Sequence, residues 1–466
     1  MKIGESIIQK LIKDKDVISA TIVGSYSEKK NIEKIGDLDV VVICKKLTKK
    51  IFKRLNNKIK KKKFYKEILV NSTFGPVKLG AKKTFPIHLM IYDKKLHKDH
   101  AIKSPFTCYD WQRSKIYKGI SLKKIFPVKN LQLSDFFNAR RNSNEYLNDI
   151  KKDRISVRKY QFKGKKITTK KTFVQIDKRN RGEFVYHIIN FLVINLFKFH
   201  VNKNIKTSKK QFDNFFLKIT NKDHNLLKEF KILESKKLEK KLIYNQNIIS
   251  LAVKFVKKYE NFLQKKKKEY LTLNFVRHAK TSMNKKNIFL GVKNNPPIIK
   301  TKIKKISSSM HDLTITSGLK RAQMSTKFFN SKKIIHNKLI NEINYGDADG
   351  MSFSNFKTKY PKIIKSWNNK IDIKFPKGEN TNDVRKRALS FLSILKRFKE
   401  GKKILIISHG FFLKVIFCII LGIDIKKAYK ISIEHLKVFQ FLKKGKFIIP
   451  NLNRKDQENI YNQLND

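Results

Sequence analysis

Acidic residues are few in this chain: 37 Asp and Glu stand against 107 Lys and Arg, a formal net charge of +70 over 466 residues. The shortage says little about fold, because net charge bears on solubility and association. Lysine dominates the excess, with asparagine and isoleucine abundant and arginine scarce, which reads as codon bias towards AT. The functional reading, an electrostatic funnel for anionic substrates or RNA, comes second to it, and the two are compatible. Cysteine is rarer still, with Cys44, Cys108 and Cys418 far apart and no CxxC pair. That excludes a disulfide framework or a cysteine zinc site and makes a reducing cytoplasm the default. Uninterrupted hydrophobic runs are also missing. The opening "MKIGESIIQKLIKDKDVIS" is periodic but holds no continuous apolar core, so no signal peptide is expected. The run Phe184–Phe199 is short for a span and carries His187, Asn190 and Asn195. Ile404–Ile423 is interrupted by Ser408, His409, Gly410 and Lys414. Neither is expected to meet a membrane.

What is present fits a folded protein, with 40% apolar and 11% aromatic residues. The length allows two or three domains, each with its own core. Over residues 1–130, apolar strand-like runs ("ISATIVGS", "DLDVVVIC", "PIHLMIY") alternate with a helical pattern, "LTKKIFKRLNNKIKKKKF". Residues 131–265 read as mainly helical, broken by a basic stretch from Lys151 to Arg181. "QKKKKEY" (Gln264–Tyr270) reads as a helix end or linker. An α/β pattern then occupies 270–453, and a polar tail follows over 454–466. The expected class is therefore α/β and multidomain.

The third region carries the densest chemistry. "LTLNFV" delivers Arg277 and His278 to the C-terminal end of a strand, where open α/β sheets place their ligands. "KKILIISHG" repeats the device with Ser408, His409 and Gly410 before an apolar helix. Between them lie "TITSGLKRAQMST", with Arg321, and "INEINYGDADG", with Glu342. Two histidines and two arginines at the ends of separate segments can meet around one anion. The motifs "FVRHAKTSMN", "SGLKRA", "NEINYGDADG", "FPKGEN" and "IISHG" occur in this order. Together they resemble the histidine phosphatase superfamily, the phosphoglycerate-mutase-like proteins.

The resemblance implies that His278 is the nucleophile forming a phosphohistidine. It implies that Arg277, Arg321 and His409 hold the phosphoryl oxygens with help from Asn284, and that Glu342 is the general acid. Such a site transfers phosphate through a covalent intermediate and needs no metal cofactor. The expected substrate is a small phosphorylated metabolite. Ala279 stands where the family usually has Gly, and Lys280 where it often has Glu. Both departures point away from a glycolytic mutase and towards the smaller phosphatases, with a phosphomutase as the alternative.

The first region has its own constellation, "TIVGSYSEKKNIEKIGDLDVVVI". A strand leads into a Gly24–Ser25 turn, and a second strand carries Asp37 and Asp39. At a period of two both carboxylates face one side, opposite Leu38, Val40 and Val42. Paired carboxylates can hold Mg²⁺ against a triphosphate, and the turn can offer donors to phosphate oxygens. The pattern resembles the nucleotidyltransferase fold shared with DNA polymerase β. That resemblance implies nucleotide binding at Gly24 and Ser25, metal at Asp37 and Asp39, and an NTP as partner. The family's third carboxylate is expected on "FPIHLMIYD", where His88 stands in the acid's place and Asp93 lies on the other parity. Without that acid, transfer is weakened, and the module can instead be an inactive sensor of nucleotide or RNA. The stretch 151–181 mixes basic residues with Tyr160, Phe162 and Phe173, which suits RNA or a charged hairpin alike. The expected whole is a cytoplasmic, two-function chain: a nucleotidyltransferase-like module, a helical region that can close over it, and a histidine phosphatase domain.

Overall fold

The computed structural model describes residues 3–29, 38–60, 70–71, 87–128, 131–164, 166–176, 178–201, 203, 205–238, 248–286, 288–300, 305–369, 371–452, 456 and 460. The chain divides into two compact units, Met1–Leu263 and Gln264–Asp466. The expected regions 1–130 and 131–265 thus fall almost wholly within the first unit.

The first unit is built on a five-stranded sheet of β1 (Val17–Val23), β2 (Leu38–Cys44), β3 (Val70–Asn71), β4 (Ile87–Asp93) and β5 (Tyr117–Gly119), in the order β3-β4-β2-β1-β5. β1 runs antiparallel to both β2 and β5, while β4 is parallel to β2 and β3. Both faces are covered, which is why "DLDVVVIC" is apolar almost throughout and does not alternate. One face buries Ala20, Ile22, Val40 and Val42 against Ile7, Ile8 and Leu11 of the helix Ile3–Ile12 and against Leu55 of Lys49–Lys60. The other buries Val41, Ile43, Met90 and Tyr92 against Ala101, Cys108 and Trp111. Asp93 ends β4 by capping the helix Lys94–Lys103, its carboxylate accepting from the Leu96 amide at 2.8 Å. As an N-cap it satisfies an otherwise orphaned helix donor.

The basic stretch at 151–181 interrupts the helices with a hairpin of β6 (Arg154–Lys163) and β7 (Lys166–Gln175). Its aromatics Tyr160 and Phe162 pack on Phe52 at 5.3 and 5.5 Å between ring centroids, and Arg154 lies over Phe173. Helices Lys178–Val201, Lys209–Thr220 and His224–Leu238 follow. The last two join the helix Ile248–Lys268 around a phenylalanine cluster of Phe212, Phe216, Phe230 and Phe255. Arg181–Val201 is long and apolar enough to cross a membrane by length and composition, and 56% of its apolar window is buried within the protein.

The second unit carries a six-stranded sheet. Its strands are β8 (Leu271–Arg277), β10 (Leu313–Thr316), β12 (Ile334–His336), β13 (Lys403–Ser408), β14 (Val438–Lys444) and β15 (Phe447–Pro450), in the order β12-β10-β13-β8-β14-β15. A separate two-stranded ladder pairs β9 (Met310–His311) with β11 (Asn330–Ser331). The first four strands of the large sheet are parallel, and β14 returns antiparallel beside β8. The register sets Ser408 opposite Arg277, so the two histidines that follow these strands emerge side by side. The helix Gly410–Leu421 is apolar nearly all round because it is buried, with Phe412, Leu413, Val415, Ile416 and Phe417 at 0% exposure. It stops at Gly422, whose φ of +64° suits a residue without a Cβ.

Candidate active site

At the C-terminal ends of β8 and β13, the rings of His278 and His409 lie 5.0 Å apart. His278 is 2% exposed, and its Nδ1 sits 2.6 Å from the Ala279 carbonyl oxygen. A carbonyl only accepts, so Nδ1 carries the proton and donates, leaving Nε2 as a free lone pair. The backbone is pinned as well: His278 N donates to Ser408 O at 2.9 Å. Ala279 N donates to Ser325 Oγ at 2.8 Å. Burial first, then Arg321 and Arg277, holds the His278 imidazole well below its ordinary range. A neutral imidazole is what attack on phosphorus requires.

Arg321 is fully buried, and among the described residues no carboxylate pairs with it within 4 Å. Its guanidinium donates to Gly291 O at 2.8 Å, to Asn294 O at 3.2 Å and to His409 Nδ1 at 3.2 Å. Because His409 Nδ1 accepts there, its Nε2–H donates to Ser317 Oγ at 2.6 Å. Burial, with Arg321 and His278 beside it, keeps His409 neutral too. The loop that receives Arg321 is itself held by Asp349, which accepts from Gly291 N, Lys293 N and Asn294 Nδ2. Arg277 donates from Nη1 to Ile433 O at 3.0 Å, while its buried Nε has no hydrogen-bond partner. Two buried guanidinium groups without a paired carboxylate mark a place prepared for an anion.

Glu342 reaches the start of the helix Gly410–Leu421. Its carboxylate accepts from Phe411 N at 3.2 Å, Phe412 N at 3.1 Å and Ile343 N at 3.1 Å. Glu342 thereby occupies two orphan amides at the helix start. The "FPKGEN" element explains how Glu342 is held. Arg387 forms a forked pair with Glu379 at 2.8 and 2.9 Å, and also donates to Leu339 O and Asn341 O. Glu379 in turn accepts from Asn344 N. Asn284, expected among the phosphate ligands, uses its Oδ1 on Thr281 N and Oγ1 at 3.0 and 2.9 Å, folding the loop after His278.

Sequence reasoning missed four members of this centre. His435 donates from Nδ1 to His278 O at 2.6 Å and sets its ring 5.2 Å from that of His278. Its only sequence signal was a histidine just before an apolar strand. Ser317 lay within a quoted motif but had no role. Asp349 and Arg387 act through loops that only the folded chain defines.

In the first unit the structure brings the Gly24 turn against Asp39. Gly24 has φ +72°, and a Cβ there would lie 2.5 Å from Asp39 Oδ2, so only glycine fits. Ser25 is exposed beside it. Asp39 stands opposite His88 in the β2–β4 ladder, and His88 Nδ1 lies 3.1 Å from Asp39 Oδ1. His88, Met90 and Tyr92 therefore face the turn, the parity on which a third carboxylate was sought, and Asp93 is spent as a cap. Asp37 lies outside the described residues. Among those described, no group of three or more His, Cys, Asp or Glu could hold a metal ion. Of the two carboxylates expected to hold metal, Asp39 alone is among the described residues, and it is bonded to His88.

Residues 273–446 match the family model of the Histidine phosphatase superfamily (branch 1). The chain is 29% identical over 156 residues to a 2,3-bisphosphoglycerate-dependent phosphoglycerate mutase of Parvibaculum lavamentivorans, covering 30% of this chain and 74% of the relative. A mutase of the same name from Methylorubrum extorquens is 25% identical over 179 residues, covering 34% of this chain and 84% of the relative. Among solved structures, the alpha-ribazole phosphatase from Shigella flexneri aligns with a TM-score of 0.34 at 19% identity, covering 40% of this chain and 96% of that one. The family match and the order of the motifs agree that the C-terminal region of this chain is a histidine phosphatase superfamily domain.

Proposed function

We propose that the C-terminal unit hydrolyses small phosphomonoesters without a metal, through phosphorylated His278. The observation that carries this reading is a buried, neutral His278 beside two guanidinium groups without paired carboxylates. The His278 Nε2 lone pair attacks phosphorus, a P–N bond forms, and the P–O bond to the leaving group breaks. Arg277, Arg321 and His409 take the charge on the phosphoryl oxygens, with Asn284 beside them. Glu342 gives its proton to the leaving alkoxide. Water then attacks the phosphohistidine, Glu342 recovers a proton from it, and phosphate departs with His278 restored.

The test is phosphate release from a panel of phosphomonoesters in EDTA, comparing wild type with His278→Ala. Release that survives EDTA and is lost in the variant supports the mechanism; release that persists in the variant removes His278 as nucleophile. A second reading, phosphoryl transfer to another hydroxyl of the substrate, is favoured by the name the curated relatives share. Interconversion of 3- and 2-phosphoglycerate dependent on 2,3-bisphosphoglycerate would select it.

For the first unit, the Gly24 turn seated on Asp39 supports a nucleotidyltransferase-like module. The His88–Asp39 pair in place of a third acid favours ligand binding over transfer. Nucleotide incorporation or pyrophosphate release that needs Mg²⁺ and is lost in Asp39→Asn would restore the transferase reading.

A further inference from the structure

The first unit contains a cavity of about 430 Å³ that begins at Gly24, Ser25, Asp39 and His88 of the nucleotidyltransferase-like motif and extends well beyond them. Its volume suits a small organic ligand; such sites run from roughly 300 to 1,000 Å³. Four cations line it: Lys103, Arg140, Arg141 and Arg158. The lining carboxylates are already engaged, Asp39 with His88 at 3.1 Å and Asp110 with Lys198 at 2.7 Å. Lys103 pairs with Asp99 at 2.6 Å, and Arg140 reaches the same exposed carboxylate only at 3.8 Å. Arg141 is spent on the carbonyl and hydroxyl of Ser156. Arg158 has neither a hydrogen bond nor a carboxylate within 4 Å among the described residues. Burial, with Arg140 and Arg141 beside it, pushes its guanidinium down to about 10. Like charges gathered in a half-buried wall repel, and a bound dianion removes that cost.

The rest of the lining is aromatic. His100 stacks on Trp111 with centroids 5.2 Å apart at 25°, and Phe106 meets Phe191 edge-on at 5.9 Å. Such surfaces accept a flat ring, while a guanidinium fork matches phosphate geometry. We propose that this cavity binds an aromatic organic phosphate, its phosphate held by Arg140 and Arg158 and its ring against the Trp111 wall. The recognition needs no divalent metal. It rests on the ligand-binding reading of the first unit, whose Gly24 turn and Asp39 share the cavity, and names the ligand class; the Asp39→Asn test with Mg²⁺ bears on transfer alone, so the two can fail separately.

The two tryptophans, Trp111 and Trp367, allow a direct test. Full-length protein carrying Trp367→Phe and His278→Ala leaves Trp111 as the sole indole and removes the proposed nucleophile of the second unit. It is titrated with AMP and with phenyl phosphate in EDTA. Trp111 emission should change saturably with the phosphorylated probes, and adenosine and phenol should bind at least about tenfold more weakly. Inorganic phosphate should compete, and Arg158→Ala should raise Kd about tenfold or more, with Arg158→Lys intermediate. A silent Trp111 with both phosphorylated probes overturns the proposal. So do adenosine and phenol binding as tightly as their phosphates, or a Kd unmoved by Arg158→Ala. If Arg158→Ala does not fold, the comparison of AMP with adenosine still decides. Phosphate release by the unmutated chain, measured separately, neither supports nor weakens it.

Discussion

His435 donates from its Nδ1 to the backbone carbonyl oxygen of His278 at 2.6 Å, and its ring meets the His278 ring edge-on. One histidine thus holds the peptide of another. Arg277 is tied to the same segment through Ile433 O. Replacing His435 with Ala should lower kcat/KM for phenyl phosphate about three- to tenfold, the worth of one neutral hydrogen bond. His435→Asn, which keeps a donor, should recover part of the loss. An unchanged His435→Ala enzyme would leave this contact a structural one only.

The His278 imidazole should stay neutral in acid. Burial and the two arginines hold it well below the usual 6.5, so protonation is deferred to lower pH. Nitrogen NMR of ¹⁵N-histidine protein, assigned by comparison with His278→Ala, should find the His278 ring with Nδ1 protonated and Nε2 bare at pH 5.5. Arg321→Ala should move that titration upward, since a positive neighbour is removed. A His278 ring that is doubly protonated at pH 6 contradicts the assignment.

Glu342 can be separated into its two employments. Glu342→Gln keeps an oxygen for the amides of Phe411 and Phe412 but has no proton to give. Its kcat/KM should fall about a hundredfold on an alkyl phosphate and little on p-nitrophenyl phosphate, whose leaving group needs no acid. Glu342→Ala should also destabilise the unit by about 1–3 kcal/mol, because buried amides lose their acceptor. Equal losses on both substrates in Glu342→Gln would remove the general-acid role.

Gly410 lies under the Arg277 guanidinium. A Cβ there would come within 3.2 Å of Arg277 Cζ and Nε. Since Nη1 is fixed to Ile433 O, the group has little room to retreat. Gly410→Ala should raise KM for phosphomonoesters about tenfold while leaving the fold intact. Measured KM and thermal midpoint together check both halves of that expectation.

Stability should decline as the solution is acidified from pH 7 to 5. His97 is held down to about 4 by burial, and His100, His278 and His409 lie well below 6.5. Their unfolded forms bind protons first. The stability tied to their neutral forms is therefore complete above about 6.5 and lost progressively as pH falls towards the folded values. Each titrating histidine contributes a slope of up to about 1.4 kcal/mol per pH unit. Urea midpoints at several pH values should follow this trend. A midpoint independent of pH between 7 and 5 would contradict it.

Strands with strong patterns were legible without coordinates. "LTLNFV", "KKILIISHG" and "DLDVVVIC" became β8, β13 with its following helix, and β2. The meeting of His278 with His409 followed from motif order, because parallel neighbours present their ends together. The hairpin β6–β7 was harder to read: its lysines and threonines face outward, and only packing on Phe52 selects a strand over a loop. His435 and Asp349 escaped notice because their work is done through backbone carbonyls and amides, which leave no mark on residue type. Asp37 lies outside the described residues, and its expected pairing with Asp39 lies there with it.

The antiparallel return of β14 beside β8 bears on synthesis. Until residues near 450 have left the ribosome, β8 has an open edge on that side, and neither the Ile433 carbonyl nor His435 is in place. A nascent chain ending before β14 would carry all five motifs of this domain with that edge of β8 still unpaired. The sheet of this unit is thus completed from its C-terminal side, by the last strands to be made.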